Sequence, residues 1–194
     1  LAAGVSSRMG TSKALIPWEN KTLIEWQIEK NKEAGIKEIV VVLGSNAEEI
    51  HDKINNLDIT VTLNPAYKKG KTTSIKKGLE NVKDKDAHIL LLAVDQPRPA
   101  WLLKKVINDH IASQSLISCP MNEGSKGHPI IFHKNLRKEL FGIEERFQGI
   151  RKITAKYSSS VNIIEVGSDI VNIDINTPED YQRAMKIFSS GNRT

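Results

Sequence analysis

The most hydrophobic run of the chain is Ile89-Leu90-Leu91-Leu92-Ala93-Val94, and Asp95-Gln96-Pro97 follows it directly. Charged residues flank the run at both ends. A short, uninterrupted apolar run of this kind is typical of a strand that is covered on both faces. We therefore expect residues 89–94 to form the central strand of a sheet, with Asp95 at its carboxyl end.

Apolar runs of strand length alternate with segments of helical periodicity on both sides of this central strand. The other predicted strands are residues 38–43, 59–63, 115–119, 129–132, 161–166 and 171–175. The predicted helices are residues 23–34, 48–54, 73–82, 99–111, 136–141 and 149–156, and a last helix that begins near 177. Such alternation predicts an α/β fold, a three-layer sandwich with a mostly parallel central sheet. Because no linker or repeat interrupts the pattern, we expect a single domain over residues 1–194.

The composition argues against several classes of protein. The 194 residues include 28 Lys and Arg against 23 Asp and Glu, a mild positive charge of +5 that fits an anionic small molecule. Scattered aromatic residues offer no stacking platform for nucleic acid, and the longest apolar run is too short to cross a membrane. The lone Cys119 predicts a reducing, cytoplasmic compartment. Because Leu1-Ala2-Ala3 reads as the end of a strand, we expect the first strand of the natural protein to begin before Leu1.

Three polar segments come directly after predicted strands: residues 4–13, 95–97 and 174–176. In open α/β sheets, ligands bind beyond the carboxyl ends of the strands. We therefore expect these three segments to converge on one site.

The first segment is a loop that contains two glycines, Gly4-Val5-Ser6-Ser7-Arg8-Met9-Gly10-Thr11-Ser12-Lys13. Small residues let backbone N–H groups approach phosphate oxygens closely. Arg8 can bind two oxygens with its planar fork, whereas Lys13 supplies a point charge. The spacing does not fit a Walker A loop, a dinucleotide fingerprint or a hydrolase elbow. The loop therefore predicts a phosphate-binding site of another type.

The acidic residue Asp95 follows the predicted central strand, and Asp174 lies at the end of the predicted strand 171–175. A carboxylate at the end of a buried strand is costly unless it meets a cation or water. Mg²⁺ is the hard, oxygen-seeking ion expected beside a triphosphate. We expect both carboxylates to bind one Mg²⁺, while Asn176 either adds a neutral ligand or caps the last helix.

The pattern Leu-Ala-Ala-Gly-x-Ser-x-Arg-Met-Gly-x-x-Lys over residues 1–13 resembles the signature of nucleotidyltransferases with a MobA-like fold. Three later segments, Asp95-Gln96-Pro97, Gly127-His128-Pro129 and residues 174–180, resemble the molybdenum-cofactor cytidylyltransferase branch of that family. The resemblance covers residues 1–184. It implies a Rossmann-like nucleotidyltransferase fold.

The same resemblance implies that CMP is transferred from CTP to a phosphate-bearing acceptor, molybdopterin, with Mg²⁺ as cofactor and release of pyrophosphate. The Leu-Ala-Ala-Gly form is associated with CTP rather than GTP, and a molybdoenzyme would be the client for the product. The residues that it implies for nucleotide binding are Leu1, Ala2, Ala3, Gly4, Arg8, Lys13, Asn64, Ser74 and Asp95. Of these, Arg8, Lys13 and Asp95 would be catalytic. The acceptor would lie against Gly127, His128 and Arg151, and the metal against Asp95 and Asp174.

Two departures from the family pattern leave the acceptor open. Ser12 stands where Pro is common, and residues 146–151 lack the Asp of the Gly-Asp-x-Gly-Ala-Arg-like segment of the branch. One alternative is a transferase for another triphosphate, such as GTP, or for a sugar or polyol phosphate. A second alternative, from a different class, is a non-catalytic accessory protein that delivers nucleotide or cofactor to a molybdoenzyme.

Overall fold

The structure is a computed structural model that describes residues 1–5 and 9–191. Strands and helices alternate along this part of the chain, as the sequence predicts. The strands are β1 (Pro17–Trp18), β2 (Lys21–Thr22), β3 (Val40–Leu43), β4 (Thr60–Leu63), β5 (Ile89–Leu91), β6 (Ile117–Asn122), β7 (Ser125–Lys126), β8 (Ile130–Phe132) and β9 (Val161–Glu165). The α-helices are α1 (Leu23–Glu33), α2 (Ala47–Ile54), α3 (Lys71–Asn81), α4 (Ala100–Ser113), α5 (Arg137–Phe141), α6 (Ile150–Lys156) and α7 (Pro178–Gly191).

The central sheet is joined through the first three residues of the chain. Ala2 pairs in parallel with Leu43 at the end of β3, and its N–H donates to the Val42 carbonyl at 2.9 Å. On the other side, the Leu1 carbonyl accepts from the N–H of Val94, just beyond β5, at 2.9 Å. The parallel pairs β3–β4 and β6–β9 flank this junction, and β8 lies antiparallel between β5 and β6. The order across the sheet is therefore β4, β3, residues 1–3, β5, β8, β6 and β9.

Of three apolar clusters, one packs α2 and α1 against β3, and the other two cover opposite faces of the sheet. Of these two, the first packs α1, α4 and α7 on the sheet through Trp26, Val106 and Ala184, and the second packs α3, α5 and α6. Neighbouring residues of β8 divide between the clusters, since Ile131 belongs to the first and Phe132 to the second. The expected three-layer α/β sandwich is thus confirmed. No helix in the described ranges combines the length and hydrophobicity that crossing a membrane requires.

The last helix begins where the sequence predicts, because a capping box fixes its first turn. The carboxylate of Asp180 accepts from the N–H groups of Asn176 and Thr177 at 3.0 and 3.1 Å. In return, the Thr177 hydroxyl accepts from the N–H of Asp180 at 3.2 Å. This cap holds Asn176 directly in front of α7, so its side chain can point away from the helix.

The predicted strand at 171–175 is wrong. Residues Asp169–Asn172 form a 3-10 helix, and the segment that follows takes no place in the sheet ladder. Val171, Ile173 and Ile175 alternate with polar residues, which is the pattern of a strand, and the structure does bury all three side chains. The carbonyls of Val171 and Ile173, however, accept from the guanidinium of Arg98 rather than from a neighbouring strand. The short β1–β2 hairpin was not predicted.

Candidate functional site

A cleft of about 360 Å³ opens where residues 1–5 and the end of β5 meet. The three polar segments that were predicted to converge all contribute to its walls, together with the start of α3. The predicted site residues that line it are Leu1, Ala2, Ala3, Gly4, Lys13, Ser74, Asp95 and Asp174. This is the position at which ligands bind in open α/β sheets.

Lys13 links the three segments through its ammonium group. Its Nζ donates to Oδ2 of Asp95 at 2.9 Å and to Oδ1 of Asn176 at 2.8 Å. The side chain of Lys13 is 14% exposed and that of Asp95 is 27% exposed, so the ion pair is largely shielded from water. A charge-assisted contact in such a place is stronger than one on the open surface. The cation of the glycine loop is therefore fixed at the carboxyl end of the central strand.

The second acidic residue, Asp174, faces the same cleft. Desolvation raises the pKa of its carboxyl group, and the nearby charge of Asp95 raises it further. A hydrogen bond from Gln96 and the charges of Arg98 and Lys71 act in the opposite direction. A cation bound beside Asp174 would offset both the burial of its carboxyl group and the charge of Asp95.

The donor set of the cleft fits a magnesium ion that shares its ligands with a substrate. Mg²⁺ is usually held by one or two carboxylates, with phosphate oxygens and water completing the shell. Asp95 and Asp174 supply two carboxylates, and Asn176 an amide oxygen. Within residues 1–5 and 9–191, no three or more His, Cys, Asp or Glu side chains form a group that could hold a metal ion. Phosphate oxygens and water would therefore supply the remaining ligands.

Asn64 and Ser74 occupy different positions relative to the cleft. Ser74 lines the cleft, whereas Asn64 is buried behind it and donates to the hydroxyls of Thr73 and Ser74, both at 2.9 Å. The Oδ1 of Asn64 accepts from the N–H of Ala66 at 3.0 Å. Because Asn64 donates to Ser74, the hydroxyl proton of Ser74 is left to donate towards the cleft.

The segment Gly127-His128-Pro129 approaches the cleft from the other side of Gln96. Gln96 accepts from the N–H of Ala93 at 3.1 Å, and its amide nitrogen lies 3.0 Å from Nδ1 of His128. The pKa of His128 is lowered from 6.5 to about 4, mainly by burial and also by the charges of Lys71 and Arg98, while the charge of Asp95 acts in the opposite direction. His128 is therefore neutral near pH 7. The bond between His128 and Pro129 is a cis peptide.

Four predicted site residues that the structure describes, Asn64, Gly127, His128 and Arg151, are not among those that line the cleft. Arg8 falls outside the residues that the structure describes. Arg151 lies in the first turn of α6 with an exposed side chain and is not among the residues that line the cleft. The proposed contacts of Arg8 and Arg151 with phosphate stay predictions.

Lys71 and Arg98 belong to the site but were not predicted. Residues 68–77 include five lysines, and Lys71 is the one of them that lines the cleft, at the start of α3. Arg98 is buried behind the cleft. The position of Lys71 directly after Gly70 was a usable signal, since a glycine at the start of a helix can bring its first residue to a ligand. Nothing in the sequence separates Arg98 from a surface arginine.

Three relatives each align with nearly the whole chain. Molybdenum cofactor cytidylyltransferase of Escherichia coli (strain K12) is 28% identical over 194 residues, which cover 97% of this chain and 94% of the relative. Nicotine blue oxidoreductase of Paenarthrobacter nicotinovorans is 27% identical, with 95% and 94% covered. A probable molybdenum cofactor guanylyltransferase of Bacillus mycoides (strain KBAB4) is 26% identical, with 98% and 96% covered.

Solved structures have the same fold. The crystal structure of Rv0371c from Mycobacterium tuberculosis H37Rv has a TM-score of 0.83 and 23% identity, and covers 95% of this chain and 94% of its own. The complex of Rv0371C with manganese has a TM-score of 0.75 and 22% identity over the same shares of the two chains. The sequence itself matches a known family over residues 1–161, a range that includes the glycine loop, Asp95 and Gly127-His128-Pro129. With fold and motifs in agreement over most of its length, the chain belongs to the family of MobA-like NTP transferase domains.

Proposed function

We propose that this protein transfers CMP from CTP to a phosphate-bearing acceptor, molybdopterin, and releases pyrophosphate. The observation that carries the proposal is the position of Lys13, whose ammonium lies 2.9 Å from Asp95 and 2.8 Å from Asn176 in the cleft beside the glycine loop. The 28% identity with a molybdenum cofactor cytidylyltransferase over 97% of the chain supports the choice of reaction. The Leu1-Ala2-Ala3-Gly4 form of the loop supports CTP.

In the proposed complex, the loop and its cations bind the triphosphate. Backbone N–H groups of Ala3 and Gly4 face the phosphates, and Lys13 and Arg8 neutralise the charge that develops on the leaving pyrophosphate. The hydroxyl of Ser74 donates to the nucleotide from the wall of the cleft, held in place by Asn64. These residues bind and orient the nucleotide, which is the main contribution of a protein to phosphoryl-group transfer.

Asp95 and Asp174 would hold Mg²⁺ in this proposal. When bound, the ion would neutralise phosphate charge beside the two cations of the loop. The manganese complex of Rv0371C concerns that protein, and it supports a divalent cation in this fold. In this chain, burial and the charge of Asp95 raise the pKa of Asp174, and a bound cation would offset both effects.

The acceptor needs no general base. An acceptor phosphate is already ionised, so one of its oxygens can form a bond to the α-phosphorus while the bond to the pyrophosphate oxygen breaks on the opposite side. His128 is neutral near pH 7 and, with Gly127, forms the wall of the acceptor side in this proposal. Arg151 would bind the acceptor from α6. The protein acts as one domain over residues 1–194, and we place it in the cytoplasm.

GTP is the second candidate donor. Probable molybdenum cofactor guanylyltransferases are 26% identical to the chain over nearly its whole length, only slightly less than the cytidylyltransferase. A non-catalytic delivery protein is less well supported, because a pure binder has no need of paired carboxylates beside a fixed lysine.

The test is an assay of pyrophosphate release with each of the four nucleoside triphosphates, Mg²⁺ and molybdopterin. We expect release with CTP, and release with GTP alone would overturn the assignment of the donor. Glucose 1-phosphate and ribitol 5-phosphate in place of molybdopterin test the other acceptors. Asp95→Ala should abolish turnover, whereas Asp109→Ala, which removes an exposed ion pair on α4, should not. Nucleotide binding without turnover in the unmodified protein would favour the delivery protein.

A further inference from the structure

A buried arginine lies directly behind the two carboxylates of the cleft. Arg98 is 1% exposed and follows the segment Asp95-Gln96-Pro97. Its Nε donates to the carbonyl of His128 at 2.8 Å, and its Nη1 donates to the carbonyl of Pro97 at 2.8 Å. Its Nη1 and Nη2 also donate to the carbonyls of Ile173 and Val171, at 2.9 and 2.7 Å. One side chain therefore contacts three separate segments of the backbone.

Each of these segments carries a residue of the candidate site. The carbonyl of Pro97 is two residues from Asp95, and that of Ile173 directly precedes Asp174. The carbonyl of His128 belongs to the residue whose ring lies 3.0 Å from the amide of Gln96. The N–H of Ile175 also donates to the carbonyl of Asp95 at 2.8 Å, so the two acidic segments touch each other next to the arginine.

The surroundings of Arg98 make this placement costly. Burial lowers the pKa of its guanidinium to about 10, while the charges of Asp174 and Asp95 act in the opposite direction. In the described part of the chain, its four hydrogen bonds all end on backbone carbonyls rather than on a carboxylate. Burying a cation on carbonyls is expensive, and a leucine or methionine would fill such a core position at lower cost. A role in the site gives a reason for a charged, forked side chain at this position.

We infer that Arg98 is a positioning residue for the divalent cation of this cleft. Its planar fork holds the backbone of residues 171–174 against the segment of Asp95, so that the two carboxylates are already placed when the cation arrives. The inference rests on the proposed function, since that proposal supplies the cation. A lysine would keep the positive charge at position 98, but it has no planar fork and cannot reproduce the four bonds.

The test compares Arg98→Lys with Arg137→Lys. Arg137 is a matched control because its Nη2 donates to a backbone carbonyl, that of Leu79, at 2.7 Å, in the apolar layer of α3 and α5. Binding of Mn²⁺ is measured by electron paramagnetic resonance, with the ion alone and with the ion and CTP. We expect Arg98→Lys to weaken Mn²⁺ binding by about tenfold or more, as loss of a residue that orients metal ligands usually does. Arg137→Lys should leave Mn²⁺ binding unchanged, whatever its effect on thermal stability.

The outcomes separate this inference from the proposed function. Equal Mn²⁺ affinity of Arg98→Lys and the unmodified protein overturns the role of Arg98 and leaves the proposed function standing. Weaker binding in Arg98→Lys, in a protein that transfers no nucleotide, supports the role of Arg98 and overturns the proposed function. Absence of Mn²⁺ binding in the unmodified protein overturns both.

A measurement on the unmodified protein serves where Arg98→Lys does not fold. In protein labelled with ¹⁵N-arginine, the Nε–H resonance of Arg98 should move on addition of Mg²⁺ and CTP, because Nη1 of the same planar guanidinium binds the carbonyl of Ile173, which directly precedes Asp174. The resonance of Arg137, identified by its loss in Arg137→Lys, should stay in place. An unchanged Arg98 resonance overturns the inference.

Discussion

Lys13 is held between a carboxylate and an amide oxygen, both of which also suit a metal ion. Its ammonium therefore has two sets of partners, namely Asp95 and Asn176 in the present arrangement and the phosphates of a nucleotide in the proposed complex. The negative groups around it keep the cation pointed into the cleft. A lysine held in this way loses little side-chain freedom when a triphosphate binds.

We predict that Lys13→Met lowers the rate of nucleotidyl transfer by about a hundredfold or more, because a fixed positive group is removed from the developing pyrophosphate charge. The measurement is the initial rate of pyrophosphate release with CTP at saturating Mg²⁺. Lys105→Met is the control, since Lys105 forms an ion pair of 3.1 Å with Asp109 on the exposed side of α4. A variant Lys13→Met with more than half of the normal rate would contradict the prediction.

The residues of the site differ in how far the sequence could predict them. Lys13 and Asp95 were predicted because each lies beyond the end of a strand, and strand ends of a parallel sheet meet at one edge. Asp174 was predicted from a strand that the structure does not contain, and its segment meets that edge through the hydrogen bond from the N–H of Ile175 to the carbonyl of Asp95. Lys71 and Arg98 were not predicted, because their roles depend on which neighbours the fold brings to them. A lysine in a run of lysines and an arginine after a proline have the same local sequence whether they are solvated or buried.

At the scale of elements, the hydrophobic pattern predicted the order of strands and helices but not the path of the chain after residue 168. Val171, Ile173 and Ile175 are all buried, as an alternating strand would be. Their backbone nevertheless bonds to Arg98 and to Asp95 instead of a strand. Burial is encoded by the side chains, whereas the partner of each carbonyl depends on contacts far along the sequence. The difference matters here because this segment carries Asp174.

The contact between residues 127–129 and the 3-10 helix Asp169–Asn172 leads to a second prediction. A Cβ atom on Gly127 would overlap the carbonyl oxygen of Val171, which Arg98 also binds. Gly127→Ala should therefore lower the free energy of unfolding by about 1–3 kcal/mol, as overpacking does in a rigid interior. Urea unfolding measures the change.

Gly142→Ala is the control for this substitution. A Cβ atom on Gly142 would meet its nearest neighbour, the carbonyl oxygen of Glu139, at 3.4 Å, an ordinary contact. The free energy of unfolding of this variant should stay within about 0.5 kcal/mol of the unmodified protein. An equal decrease in the free energy of unfolding of the two variants would show that the close contact of Gly127 with Val171 does not cause the effect.

At the scale of the whole molecule, a chain of polar groups crosses from α4 to the sheet at the end opposite the cleft, with His110 and Ser118 buried and His88 exposed. Nδ1 of His88, just before β5, lies 2.8 Å from Nε2 of His110 on α4, and Nδ1 of His110 lies 2.7 Å from the Ser118 hydroxyl on β6. The pKa of His110 is lowered from 6.5 to about 4, mainly by burial and also by the charges of His88 and His133. Partial desolvation, His133 and Lys134 lower the pKa of His88 in the same way.

These shifts predict that acid destabilises the whole molecule. Between pH 6.5 and about 4, the unfolded chain binds a proton on His110 that the folded chain does not, so stability is full above pH 6.5 and falls as the pH is lowered towards 4. The measurement is the free energy of urea unfolding at a series of pH values. His110→Gln should reduce the slope in this window, whereas substitution of the exposed His51 by Gln should not. If the free energy of unfolding of His110→Gln changed with pH as steeply as that of the unmodified protein, the attribution of the acid sensitivity to His110 would be contradicted.

The reversed strand β8 has a consequence for how members of this architecture can diverge. Because β8 runs against its neighbours, its entry lies at the edge where β5 ends, and His128 reaches Gln96 there. The segment that reaches Gln96 directly follows the β6–β7 hairpin, while Lys13 and Asp95 lie in segments that follow residues 1–3 and β5. Insertions or deletions in residues 123–126 can thus change the surroundings of His128 without changing the segments that hold Lys13 and Asp95. The segment of His128 and the segments of Lys13 and Asp95 can therefore diverge independently within a single chain.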